Sequence, residues 1–208
     1  PEEAHEVCTA SSGSAPLDLR VNTLKAKRED VLAELAEHGI VGSAMRFAPD
    51  GIRLADKPAL IRSPMYQEDV QDEGSQLIAR LVGAKRGDMV CDFCAGAGGK
   101  TLALGALMRS TGRLYAFDVN EKRLAGLTPR MRRAGLSNVY PMAIRDEKDN
   151  RIKRLRGKFD KVLIDAPCTG TGTLRRNPDL KWRLSPEELA RINGLQHSIL
   201  EEAAKLVK

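Results

Sequence analysis

Asp88-Met-Val-Cys-Asp-Phe-Cys-Ala-Gly-Ala-Gly-Gly-Lys-Thr101 contains, in order, an apolar run ending in an acid, a glycine-rich turn and the start of a helical pattern. The run is short enough for a buried strand, and glycines at its end let the chain reverse tightly into a helix. The same alternation continues downstream. Residues 101–109 read as a helix, 113–119 as a strand, 121–134 as a helix closed by Gly135, 138–143 as a strand and 159–165 as another. Ser185-Pro186-Glu187 opens a further helix, with a capping serine and proline at the first helical position. Upstream, residues 75–82 form an amphipathic helical pattern. Strands alternating with helices predict an α/β fold, a Rossmann-like, doubly wound parallel sheet.

The glycine-rich turn admits three ligand readings, besides the bland one of a turn with no ligand. A P-loop requires Gly-x4-Gly-Lys-Thr. Gly99-Lys100-Thr101 fits its end, but the first glycine falls on Cys94, while Val162-Leu-Ile-Asp165 would pass as the Mg²⁺-binding strand of an NTPase. A dinucleotide fingerprint needs Gly-x-Gly-x-x-Gly, and Thr101 stands where its third glycine belongs. The looser loop of S-adenosylmethionine methyltransferases, entered from an acidic strand end such as Asp92, is the third. Asp118 ends the next strand, where a carboxylate can accept hydrogen bonds from ribose hydroxyls, which favours a nucleoside cofactor over a P-loop. Asp146 follows the strand after that and reads equally well as a solvated loop acid.

The stretch Asp165-Ala-Pro-Cys-Thr-Gly-Thr-Gly172 puts a carboxylate and a thiol at the carboxyl end of a strand, the rim where ligands of such sheets bind. Cys91 and Cys94 form a lone Cys-x-x-Cys without further ligands at zinc spacing, so no metal is expected and Cys91 is expected in the core. Four cysteines make no disulfide framework and no apolar run is long enough for a membrane span, so a cytoplasmic protein without membrane contact is expected, as a monomer.

The first segment differs in character. Residues 1–15 show no period and read as a tail or linker, and residues 16–69 read as a small α+β module: a strand near 17–23, a helix over 28–38 stopped by Gly39, and short strands near 44–47 and 52–54. Residues 70–208 form the larger α/β part. Of the 34 basic and 28 acidic residues, 8 and 12 lie in residues 1–70, so the positive excess sits in the larger part. It gathers at Arg130, Arg132 and Arg133, along residues 148–161, and around Trp182 with Arg175, Arg176, Lys181 and Arg183. A solvated face is the ordinary reading of any one cluster; a polyanion such as nucleic acid is the functional one. Aromatic residues, at 4%, are too few for a stacking sheet.

Five stretches, Leu19-Arg-Val-Asn-Thr-Leu-Lys25, Val70-Gln-Asp-Glu-Gly-Ser-Gln76, Cys94-Ala-Gly-Ala-Gly-Gly-Lys-Thr101, Asp165-Ala-Pro-Cys-Thr-Gly170 and Arg175-Arg-Asn-Pro-Asp-Leu-Lys-Trp182, resemble the Nol/Nop/Sun RNA cytosine-5 methyltransferases, and within them the bacterial ribosomal RNA enzymes. The resemblance covers residues 17–208. It implies that Cys94, Ala95, Gly96, Ala97, Gly98, Gly99 and Lys100 wrap S-adenosylmethionine. It further implies that Asp118 takes the ribose, that Arg123 lies beside the cofactor, and that Asp146 and Asp165 lie near the adenine and methionine ends. Lys100 and Asp165 would also approach the target cytosine, and the N-terminal module would contact RNA, ribosomal RNA first and transfer RNA as an alternative.

In that chemistry a thiolate adds to carbon 6 of cytosine and makes carbon 5 nucleophilic, while a donor at ring nitrogen 3, such as a protonated Asp165, stabilises the developing charge. The resemblance gives Cys168 the release of product and places the covalent nucleophile in a Thr-Cys motif on the next strand. No Thr-Cys occurs in these 208 residues. The chain is therefore expected to be a truncated methyltransferase domain, with that strand beyond Lys208. Cys168 as the nucleophile is a further possibility, as are a P-loop NTPase and a non-catalytic RNA-binding module with a vestigial cofactor pocket.

Overall fold

The computed structural model describes residues 2–58 and 69–208. Alternation along the central strands decides the architecture. In β5 (Met89–Asp92) and β6 (Arg113–Asp118), Val90, Leu114 and Ala116 face one apolar cluster, whereas Cys91 and Phe117 face another. Both faces are buried, as a parallel sheet flanked by helices requires. Together with β7 (Val139–Ala143) and β8 (Lys161–Leu163), these strands form a parallel sheet of order β7-β6-β5-β8. The first cluster is completed by Leu102 and Leu104 of α4 (Gly99–Leu107) and Leu127 of α6 (Leu127–Ala134). The second is completed by Ile152 of α7 (Asn150–Lys153) and Ile199 and Ala203 of α8 (Pro186–Ala204). Ser185 caps α8 as expected, its hydroxyl accepting from the Glu188 amide at 3.2 Å. After α8 the chain lies parallel to Phe159, through a Val207 bridge beside β8.

Ahead of it stands an antiparallel sheet of order β2-β3-β1-β4, built from β1 (Leu17–Arg20), β2 (Gly42–Ala44), β3 (Gly51–Leu54) and β4 (Asp69–Val70). The helix α2 (Arg28–Glu37) covers it with Val31 and Leu35, against Leu19, Val21, Ile52 and Leu54. The two units are joined by polar contacts. Gln76, on α3 (Glu73–Leu81), donates to the Leu19 carbonyl at 3.1 Å, and Asn22 donates to the Ala134 carbonyl at 2.9 Å. Asp69 is paired with Arg20 at 2.5 Å and Arg130 at 2.9 Å, one from each unit.

Four details depart from the sequence expectation. The segment read as a tail contains a helix, α1 (Glu2–Ser12); Glu3 near its start suits the positive end of the helix dipole, and Val7 on it is exposed. The strand expected near 44–47 sits earlier, at Gly42–Ala44, because the Phe47 and Ala48 amides donate to Glu73 instead of to a neighbouring strand. The helix expected over 121–134 divides at Gly126 into α5 (Glu121–Ala125) and α6, since Pro129 has no N–H to offer the preceding turn. Val70, expected to begin the larger part, instead pairs with Leu19 in the smaller sheet; the segment 59–68 before it lies outside the described residues. Among the described residues no helix is long and apolar enough to cross a membrane.

Candidate active site

The carboxyl ends of β5, β6 and β8 converge on one rim. The turn from β5 into α4 is anchored on both sides: the Phe93 amide donates to the Leu163 carbonyl and the Ala95 amide to that of Phe117, each at 2.9 Å. Gly96 and Gly98 have φ of +56° and +85°, where side chains are strained. Space excludes them as well. A Cβ on Gly98 would lie 2.2 Å from Leu127 Cδ1, and one on Gly96 would lie 2.7 Å from an Arg123 guanidinium nitrogen. Glycine is therefore favoured at both positions by the backbone conformation, and at Gly98 also by the packing of Leu127 on α6, whereas the Arg123 guanidinium at Gly96 could swing aside.

Asp118 secures the loop from β6. Its Oδ2 accepts from the Gly96 amide and its Oδ1 from the Asn120 amide, both at 2.7 Å. Each oxygen keeps a further lone pair for a ligand. Asp92 lies deeper, 1% exposed, with Oδ2 accepting from the Thr101 hydroxyl at 2.6 Å and Oδ1 buried without a hydrogen-bond partner. Burial pushes its carboxyl up to about 6; the Thr101 hydrogen bond and Lys100 oppose this, while Asp165 and Asp118 add to it.

Lys100, from the first turn of α4, bridges Asp165 Oδ2 at 2.6 Å and Ser75 Oγ at 3.3 Å. Two connected concavities meet here. One, about 600 Å³, is lined by Phe93, Gly96, Asp118, Asn120, Glu147, Pro167 and Cys168 among others. The second, about 450 Å³, lies toward the smaller unit and includes Asp72, Ser75, Lys100, Arg130 and Arg176. Cys94, Ala95, Arg123 and Asp165 line both. A larger concavity of about 860 Å³, around Leu17, Val41 and Arg53 of the smaller unit with Arg175 of the larger, has no cysteine and a single acid, Asp56, in its lining.

The cysteines differ in kind. Cys91 is fully buried in the core, as expected. Burial, reinforced by Asp118, Asp92 and Asp165, pushes the Cys94 thiol up to about 12, which keeps it protonated. Cys168 is exposed on a loop fastened to α8 by the Gln196 amide, which donates to the Pro167 carbonyl at 2.7 Å.

Most of the residues singled out from sequence thus share one site: Cys94, Ala95, Gly96, Ala97, Gly99, Lys100, Asp118, Arg123, Asp165 and Cys168 line the concavities, and Gly98 caps the helix behind them. Asp146 does not line either one. Its carboxylate accepts from the Lys148 amide at 2.9 Å and pairs with Arg145 at 3.0 Å, while Ile144 and Glu147 face the space. Asn120, Ile144, Glu147, Leu195 and Ile199 also line the site. Sequence reasoning missed them; Asn120 alone carried a signal, as the capping residue two positions after Asp118.

Residues 79–208 match the family described as 16S rRNA methyltransferase RsmB/F, and residues 1–60 match the ferredoxin-like domain of RsmF/B-like methyltransferases. The "Probable ribosomal RNA small subunit methyltransferase B" of Synechocystis is 36% identical over 210 residues, covering 99% of this chain and 47% of that relative. The ribosomal RNA small subunit methyltransferase B of Pseudomonas syringae is 35% identical over 206 residues, covering 97% and 45%. The crystal structure of PH0851 superposes with a TM-score of 0.93 at 34% identity, covering all of this chain and 47% of that one. The chain spans about half the length of the curated relatives it matches.

Proposed function

The chain belongs to the RsmB/F family of 16S rRNA methyltransferases, and from that premise we propose that it methylates carbon 5 of a cytosine in RNA, ribosomal RNA first, using S-adenosylmethionine and a covalent cysteine–cytosine intermediate. One observation carries the reading: the glycine-rich loop, Asp118, the Lys100–Asp165 pair and the Cys168 thiol share one continuous rim. Family membership displaces the P-loop alternative.

The residues fit the cofactor. The 600 Å³ concavity has the size of a small-molecule site. Asp118 presents acceptors suited to a ribose diol, the loop Cys94–Lys100 lines the floor, and Asp165 and the buried Oδ1 of Asp92 give negative charge suited to a sulfonium. When bound, S-adenosylmethionine supplies an electrophilic methyl group. Arg123 closes the loop from above Gly96, and we assign the adenine end to the Ile144–Glu147 region, with Asp146 shaping the turn that presents it.

The target base would enter where the two concavities meet. Lys100, in place of the protonated Asp165 expected from the resemblance, carries hydrogens to donate, and Asp165 an oxygen to accept, so the pair can hold the polar edge of cytosine and stabilise charge that develops on the ring. Addition of a cysteine thiolate to carbon 6 forms a carbon–sulfur bond and shifts electron density onto carbon 5. After methylation a general base takes the proton from carbon 5, and its bonding pair restores the 5,6 double bond as the carbon–sulfur bond breaks and the thiolate leaves. Cys168 is assigned to this release, as the exposed thiol on the rim.

The test is incubation of the protein carrying this chain with 16S rRNA and methyl-labelled cofactor, followed by nucleoside digestion. Label in 5-methylcytidine is expected. RNA binding without incorporation would leave a non-catalytic RNA-binding module, and label in another nucleoside would overturn the choice of atom.

A further inference from the structure

Trp182 is the sole tryptophan of the chain, and it is 81% exposed. Trp182 lines neither concavity, and a single exposed apolar residue is ordinary, so its setting rather than its exposure carries the argument. Its position is fixed. It ends a 3-10 turn, Pro178–Trp182, that packs on the Pro-Cys loop: a Cβ on Gly170, two residues after Cys168, would touch Leu180 at 3.1 Å. The same segment is fastened to the smaller unit by two arginines. Arg175 donates to the Ser14 carbonyl at 2.9 Å, and Arg176 donates to that of Pro16 at 3.0 Å and pairs with Asp72. Arg183 pairs with Asp179 within the segment. Lys181 sits with its ammonium 5.1 Å from the centre of the Trp182 ring.

The turn therefore offers an exposed indole with a cation over one face of the ring and the opposite face left for a ligand, next to the loop carrying Cys168. A nucleotide has the complementary pair of features, a π-face and a phosphate. We infer that Trp182 is a stacking platform for an unpaired nucleobase flanking the target cytosine, with Lys181 serving the adjoining phosphate. The inference rests on the proposed RNA substrate and adds the residue that holds the neighbouring base. An apolar protein segment would use the indole differently, since it would have no use for the ammonium and would cover the ring in the absence of RNA.

Trp182 is the one indole of these 208 residues, so in the protein carrying this chain the emission of the parent less that of Trp182→Phe reports on this position. Titration with a cytidine-containing single-stranded oligoribonucleotide is expected to quench it, while inorganic polyphosphate, which satisfies the charges without a base, is expected not to. Anisotropy of the labelled RNA is read in parallel. Trp182→Ala is expected to weaken RNA binding roughly 5- to 150-fold, the range for loss of one stacked base, and Trp182→Phe to restore most of it. RNA binding without quenching, or equal affinity for Trp182→Ala and the parent, would overturn the platform and leave the methyltransferase reading standing. Emission already shifted to the blue before RNA is added would also overturn it, in favour of protein covering the ring. Absence of RNA binding altogether would overturn both readings.

Discussion

Lys100 Nζ lies 2.6 Å from Asp165 Oδ2, tying the first turn of α4 to the segment just past β8 across 65 positions of sequence. The pair stands where the two concavities join, with Ser75 holding the ammonium from the other side. Lys100→Ala is expected to lower methyl incorporation into RNA by about 10²–10³, the usual cost of removing a donor from a developing charge. Cofactor affinity, measured by calorimetry, should change far less. A parallel loss of both would make Lys100 a cofactor ligand only.

Asp118 holds the Gly96 and Asn120 amides and faces the same space as the loop. Asp118→Ala is expected to weaken S-adenosylmethionine binding by about ten- to a hundredfold, as loss of charge-assisted hydrogen bonds does. Asp146→Ala should cost less than about threefold, because that carboxylate is spent on Lys148 and Arg145. Equal losses for the two variants would place Asp146 on the cofactor after all.

Cys168 is the exposed thiol at the rim, whereas Cys94 is held protonated and Cys91 is buried. In the protein carrying this chain, Cys168→Ala is expected to trap a covalent protein–RNA adduct, visible as a slowed band on a denaturing gel. Complete absence of adduct from this variant, with adduct present in the parent, would make Cys168 the nucleophile.

What the sequence revealed and what it hid follow from range. The sheet was legible because each strand carries its own apolar run and each helix its own stop, Gly135 and the Ser185 cap among them. The glycine-rich loop and the Asp165–Cys168 stretch were legible because their residue types serve chemistry within a few positions. The direction of side chains that answer to distant partners was not. Arg175 and Arg176 look like phosphate ligands in sequence, yet they bind carbonyls of residues 14 and 16, and Arg156, in the basic run, pairs with Glu202. Asp146 reads like Asp118, since both follow strands, but the turn after β7 directs it to its own neighbours. Division of the helix at Gly126 could have been read from Pro129, whose missing N–H is a local fact.

Asp92 offers a pH test of the buried wall of the site. Burial raises its carboxyl to about 6 in the folded chain, against ~3.9 in an unfolded one. Between those values the folded chain binds the proton more tightly than the unfolded chain does. The stability linked to this group is therefore fully present below about pH 4 and is lost as the pH rises through 6. Asn at this position resembles the protonated acid and has no such loss. The stability of Asp92→Asn relative to the parent is thus expected to rise by about 2 kcal/mol between pH 4 and pH 7, measured by urea denaturation at stepped pH. The difference between the two proteins isolates this one group from the other carboxylates that titrate over the same range. Parallel curves for the two proteins would show that Asp92 is ionised throughout, and that the unpartnered Oδ1 finds a donor in solution.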